Sequence, residues 1–263
     1  MERAEKMNMS LQAFHDSLAE DEKSRHVIYD NWTKFKDLEA AVTHFMAPQK
    51  SKFSLMQTLN AFIDENCDSP LDGIDCVKAV REAGHGACLD ATVRIFFIRA
   101  DPKKCLVWLW GEKNTGKTTW IDLLKAIFSA QEFNFKQSYC RMGDSDKDWH
   151  TQLYTSHEFD LKAAFNEHNF ANLKAMWEGR GGEVSRNKFE KYSKEFTGGL
   201  FCIASNELPS FMDQFHGYYE TQWKPFEARM ELVHLTGAKD GSTKFPYNAL
   251  TLACAIRHAI EQF

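Results

Sequence analysis

The chain has 263 residues, 43% of them hydrophobic and 26% charged, with a formal net charge of −5. This is a globular composition, sufficient for one large domain or a core with a small satellite. No apolar run approaches the ~20 residues of a bilayer-spanning helix, so no membrane association is expected. The acidic balance excludes a protein that coats duplexes by overall charge, so any nucleic-acid contact must come from a local patch or an oligomeric channel. The first ten residues lack the apolar stretch of a secretory signal, and the seven cysteines contain no C-x-x-C pair. Small buried thiols in a reducing compartment are therefore expected, rather than a disulfide framework or a zinc site, and a chain that is not secreted.

In chain order, residues 8–66 read as helical. Leu11, Phe14 and Leu18 share a face, as do Phe35, Leu38, Val42 and Phe45, and Leu55, Leu59 and Phe62 follow Ser54 as N-cap. These fit an amphipathic bundle or a collar holding protomers together. The turn cluster Asp68-Ser69-Pro70-Leu71-Asp72-Gly73 marks a boundary between a helical domain, 1–68, and a second domain, 69–263. Ile74–Arg99 predicts helix again, interrupted by Gly84-His85-Gly86. Lys103–Trp110 is a short apolar strand, Gly111–Gly116 a polar loop, and Lys117–Phe128 an amphipathic helix with Trp120, Leu123, Leu124, Ile127 and Phe128 on its buried face. Leu173–Trp177 ends a helix, and Glu183–Phe196 reads as a polar hairpin. Leu200–Ala204 and Met230–Leu235 are short apolar strands, and Tyr247–Phe263 is an amphipathic helix. Strands alternating with helices predict an α/β core with a parallel sheet.

Gly111-Glu112-Lys113-Asn114-Thr115-Gly116-Lys117-Thr118 matches the phosphate-loop pattern G-x-x-x-x-G-K-[ST] without a mismatch, between a strand and a helix as that pattern requires. Wrapping backbone N–H groups around a triphosphate needs glycines where a side chain would clash, and the positive end of the following helix faces the same phosphates. Lys117 then meets the β/γ-phosphates of ATP, the Thr118 hydroxyl joins a Mg²⁺ shell that keeps several waters, and Thr119 can reach the α-phosphate. Such chemistry also needs acids on a neighbouring strand, one for the ion and one for the attacking water. Glu158 and Asp160 fit by position, with Asp160 on Mg²⁺ beside Thr118, although Leu153–His157 before them is less apolar than a central strand usually is. Asp144, Asp146 and Asp148 compete from a polar loop. Asn206, ending the Phe201–Ala204 strand, can orient the attacking water; as a lone Ser-Asn it also reads as a plain turn.

With these three motifs the chain resembles the superfamily 3 helicases, which include papillomavirus initiators, parvovirus non-structural proteins and the Rep proteins of small circular DNA viruses. The resemblance covers roughly residues 88–240 and rests on Asn114-Thr115-Gly116-Lys117-Thr118, the acids Glu158 and Asp160, Glu178-Gly179 after a helix, and Asn206. It implies a phosphate-loop ATPase core with a parallel sheet, a hexameric ring with ATP at each interface, and 3′-to-5′ movement on single-stranded DNA during viral genome replication. The host nucleus is the implied location, otherwise the cytoplasm. It further implies a strand-contacting hairpin at Val184–Tyr192, with Arg186, Lys188 and Lys191 on phosphates and Phe189 stacking on a base. The basic–His pair of the papillomavirus proteins is absent there, since Phe189 and Glu190 fall at about those places. Arg229 resembles the family's arginine finger, a cation lent by a neighbouring protomer, with Arg180 second. None of the ten histidines lies two positions from another, so the DNA-nicking site of many relatives is not expected. Two other readings use the same loop: a small-molecule kinase, and an assembly protein gated by nucleotide without translocation.

Overall fold

The computed structural model describes residues 54–67, 69, 71–101, 103–136, 139–142, 151–160, 164, 167–178, 182–187, 190–194, 200–207, 227–237 and 246–263. The chain divides into a unit Met1–Lys52 and a unit Phe53–Phe263, and the described residues all belong to the second. The helical faces expected within residues 8–53 lie outside the described residues. So do Asp144, Asp146, Asp148, Arg180, Lys188 and Phe189.

Helix α1, Leu55–Asn66, begins at a capping box: the Gln57 N–H donates to Ser54 Oγ at 3.2 Å and the Ser54 N–H to Gln57 Oε1 at 2.7 Å. Two N–H groups that the helix itself cannot satisfy are thereby paired, and Leu59 and Ile63 face the core. Helix α2, Gly73–Glu82, and helix α3, Gly86–Thr92, are separated by Gly84 and His85, where the sequence signals a break. A π-helical turn, Val93–Ile98, continues α3 until Arg99 enters the left-handed region at φ 52°.

The remaining elements alternate strand and helix. They are β1 (Leu106–Trp110), α4 (Lys117–Ile127), β2 (Ala130–Lys136), β3 (Tyr139–Met142), β4 (Leu153–Ser156), α5 (Glu167–Trp177), β5 (Gly182–Asn187), β6 (Glu190–Lys194), β7 (Leu200–Ser205), β8 (Met230–His234) and α6 (Ala249–Glu261). They form one eight-stranded sheet in the order β6-β5-β3-β2-β4-β7-β1-β8. The run β2-β4-β7-β1-β8 is parallel, so the core is α/β with a five-stranded parallel sheet flanked by helices. β3 pairs antiparallel with β2 and parallel with β5, and the β5–β6 hairpin forms the far edge.

Alternate strand residues build two different cores. Val107 and Leu109 of β1, with Leu200, Cys202 and Ala204 of β7, meet helices α1 to α4 and α6 in a largely aliphatic cluster. Leu106, Trp108, Phe201 and Ile203 meet α5 in an aromatic cluster with Phe133, Phe135, Phe159 and Trp177. β2 and β3 are absent from the sequence reading, and β4 is more buried than its polarity suggests. All four of its residues are buried, and the hydroxyls of Thr155 and Ser156 make no hydrogen bond among the described residues. Among the described residues no helix is long and apolar enough to cross a membrane.

Candidate functional site

The parallel order brings several strand ends to one edge. From β1 the chain crosses to β2 on one side, and from β7 it passes to β8 on the other. Adjacent strands whose connections leave in opposite directions open a crevice at their carboxyl ends, where α/β sheets bind ligands. The residues 111–118 leave β1 at that crevice. Gly111 stands at φ 141°, and a Cβ there would collide with the Leu235 carbonyl oxygen, so only glycine fits. Asn114 at φ 62° and Gly116 at φ 90° complete a turn in the left-handed region. Gly116 is the N-cap of α4 and supplies no side-chain acceptor, so the first N–H groups of α4 have no side-chain cap.

Lys117 folds back into this loop. It is buried to 7% exposure, and its ammonium donates to the carbonyls of Gly111 at 2.7 Å and Glu112 at 2.5 Å and to Thr115 Oγ1 at 3.3 Å. Among the described residues it has no carboxylate partner. Loss of hydration pushes its pKa below the ordinary lysine value. Thr115 Oγ1 also donates to the Glu112 carbonyl at 3.0 Å, tying the loop across itself. Glu112, Lys113, Asn114 and Thr118 are exposed, and Thr119 is half-buried.

The acids and the amide come to the same edge. The Phe159 N–H donates to the Ala204 carbonyl at 2.8 Å, and the Phe159 ring lies in the aromatic core, so the exposed Glu158 and Asp160 flank an anchored residue. β4 and β7 pair Ser156 with Ile203, and β7 and β1 pair Ser205 with Trp110. Continuing the β7–β1 register sets Asn206 level with Gly111 on the next strand, ~5 Å away, and the Phe159–Ala204 bond holds Glu158 and Asp160 beside the end of β7. Trp108 Nε1 donates to Ser205 Oγ at 2.9 Å and Ser205 Oγ to the Glu207 carbonyl at 2.6 Å, which fixes the turn carrying the exposed Asn206. Beside Glu158, His157 Nε2 lies 3.1 Å from Lys125 Nζ and 3.4 Å from Asp122 Oδ1, while Lys125 Nζ lies 3.4 Å from Glu132 Oε2. This network ties the end of β4 to α4 and β2.

Arg229 is not part of this edge. It immediately precedes β8, its carbonyl accepts the Cys105 N–H at 3.0 Å, and its guanidinium donates to Glu178 Oε1 at 2.9 Å. That is the amino end of β1 and β8, the opposite side of the sheet from Gly111. The expected hairpin forms, with Ser185 opposite Lys191 and an irregularity between Ser185 and Asn187 where Arg186 falls. It occupies the sheet edge farthest from β8.

Two residues at the loop escape sequence reasoning. His85, 1% exposed, places Nδ1 2.7 Å from the Tyr247 hydroxyl and Nε2 3.3 Å from the Thr115 carbonyl. Its ring packs edge-on against Trp120 and Tyr247. The Gly84-His85-Gly86 break is the only signal the sequence offers for it, and that signal speaks of a turn. The described residues contain no group of three or more His, Cys, Asp or Glu side chains able to hold a metal. A magnesium ion held by Thr118 and Asp160 would therefore take its other ligands from phosphates and water, which suits its preference for retained waters. Lys117 without an acid, the α4 terminus without a side-chain cap and the glycine-limited turn fit a bound phosphate.

No family model matches the chain, and no curated protein matches it. Among solved structures, an A-form apo structure of the NrS-1 C-terminal region matches at 15% identity and TM-score 0.38, over 70% of this chain and 44% of that one. A second A-form apo structure of the region matches at 16% identity and TM-score 0.39, over 68% and 45% respectively. The chain thus spans less than half the length of each of these two structures.

Proposed function

We propose that this chain is an ATPase in which residues 111–118 cradle the triphosphate of Mg·ATP, working as a nucleic-acid motor of the superfamily 3 helicase type. The observation that carries the ATPase reading is the state of Lys117: a buried ammonium bonded to neutral oxygens, at a helix terminus without a side-chain cap. A charge withdrawn from water without an opposite charge is costly. A triphosphate between Lys117 and the first N–H groups of α4 removes that cost and meets the positive end of the helix dipole. Thr118 and Asp160 would hold magnesium beside the phosphates, where the ion would supply charge neutralisation. Glu158 then serves as the base toward the attacking water, and Asn206, one strand from the loop, orients that water.

The motor half of the reading rests on the resemblance. Protomers assemble into a ring, single-stranded nucleic acid passes through its channel, and Arg186, Lys188, Phe189 and Lys191 meet the strand. Arg229, remote from its own loop, acts on a neighbour's ATP.

The deciding experiment is steady-state Mg·ATP hydrolysis by the wild-type chain and by Lys117→Ala. Loss of the cation is expected to lower turnover at least about a hundredfold, the scale of removing one preorganised charge contact. A wild-type chain that neither binds nor hydrolyses Mg·ATP at millimolar concentration, or a variant with undiminished turnover, sinks the reading.

A further inference from the structure

The buried pair His85–Tyr247 lies outside every motif considered above, yet it touches the loop backbone. The Thr115 carbonyl can only accept a hydrogen bond, so the His85 Nε2 facing it carries the proton. In the neutral ring Nδ1 is then an acceptor, and the Tyr247 O–H donates to it at 2.7 Å. Burial, with Cys88 adding to it, holds the Tyr247 phenol protonated and so available as that donor. The relay runs in one direction: Tyr247 O–H to His85 Nδ1, and His85 Nε2–H to the Thr115 carbonyl.

The Thr115 carbonyl and the Gly116 N–H belong to one peptide unit. In a planar trans peptide the two point in opposite directions. His85 grips the carbonyl from the buried side, so the Gly116 N–H is turned toward the open side of the loop. Gly116, at φ 90°, has no side-chain restraint of its own to set this peptide. We infer that His85 is a positioning residue for the anion cradle: held by Tyr247, it fixes the Thr115–Gly116 peptide so that the Gly116 N–H faces a bound phosphate group. The relay also joins the α2–α3 turn and the segment before α6 to the loop. This rests on the phosphate-binding reading and adds to it the group that orients the loop.

The test compares wild type with His85→Phe, His85→Gln and Tyr247→Phe in the full chain, with Mg·ATP and magnesium pyrophosphate as probes. Phe retains most of the ring packing and loses both polar contacts. Gln keeps an N–H donor near the Nε2 position. His85→Phe is expected to weaken both probes about tenfold, the scale of one hydrogen bond to a charged group, with kcat for ATP changed less than about threefold. A rise in KM without a matching fall in kcat marks lost uniform binding. His85→Gln is expected to recover most of that loss, and Tyr247→Phe to fall between. In amide NMR spectra the Gly116 resonance should move on adding pyrophosphate to wild type and move much less in His85→Phe. If His85→Phe fails to fold, the Gln and Tyr247 variants carry the same comparison. Equal probe affinity in wild type and the folded variants, or equal loss in Phe and Gln, overturns the positioning role of His85 while leaving the ATPase reading intact. A wild-type chain that takes up neither probe overturns both.

Discussion

At Lys117 an ammonium is drawn into the protein and bonded, among the described residues, to oxygen dipoles alone. Its folded-state pKa lies below the lysine reference of 10.5, with desolvation the cause. The unfolded chain therefore holds a proton on Lys117 across a window below 10.5 in which the folded chain has released it, and there stability rises with pH. Lys117→Met removes both the buried charge and that dependence. Urea unfolding of the nucleotide-free chain is expected to show the Met variant as the more stable at pH 7, with the gap closing as pH rises toward the unfolded value. A gap that does not change with pH contradicts the burial of a charged Lys117. Addition of Mg·ATP reverses the order, because ligand binding stabilises only the protein that takes it up.

At the scale of elements, β1 and β8 are joined beyond their ladder by the Leu235 N–H donating to the Trp110 carbonyl at 2.8 Å, directly under Gly111. Gly111→Ala forces its Cβ onto the Leu235 carbonyl and demands a strained φ. The loop must shift away from β8, and Mg·ATP affinity is expected to fall at least about tenfold, as for the loss of a charge-assisted contact. Isothermal titration of the folded variant checks this, and unchanged affinity places the phosphates elsewhere. The sequence makes some of these elements plain. β1, β7 and β8 are apolar runs beside turn residues, and the α4 face reads directly from Trp120, Leu124 and Ile127. β4 is harder, because Thr155 and Ser156 look like surface residues; their small side chains are buried where the sheet is covered on both faces. β2 carries Phe133 and Phe135 among Glu132, Asn134 and Lys136, and their partners, Tyr154, Phe159 and Phe201, are distant in sequence. The turn at 111–116 is legible because its backbone is set locally, by the glycines at positions 111 and 116. His85 is not, since its role arises only when Thr115 and Tyr247 are brought to it.

At the scale of the whole molecule, the position of Arg229 separates a chain that hydrolyses alone from one that needs a neighbour. The residue is paired with Glu178 on the amino side of the sheet, where it cannot meet the phosphates of its own loop without a large rearrangement. If it completes a site between protomers, Arg229→Ala keeps Mg·ATP affinity within about twofold and loses about a thousandfold in turnover, as for arginine fingers supplied in trans. Glu178→Gln, which weakens the ion pair but leaves the arginine, is then expected to retain turnover. Sedimentation mass with Mg·ATP and the rate with added single-stranded DNA, measured in one buffer, complete the comparison. Equal rates in wild type and Arg229→Ala within an assembled ring reduce Arg229 to a structural ion pair, and a monomer that phosphorylates a metabolite points to the kinase. The aromatic core adds a property of a different kind. Trp108 is fully buried, bonded to Ser205 next to Asn206, and in edge contact with the Phe159 ring between the two acids. Its indole therefore sits where light emission depends on how that turn and that acidic segment are arranged. Emission from Trp108, once separated from that of the other six tryptophans, reports on the carboxyl edge of the sheet with no dye attached.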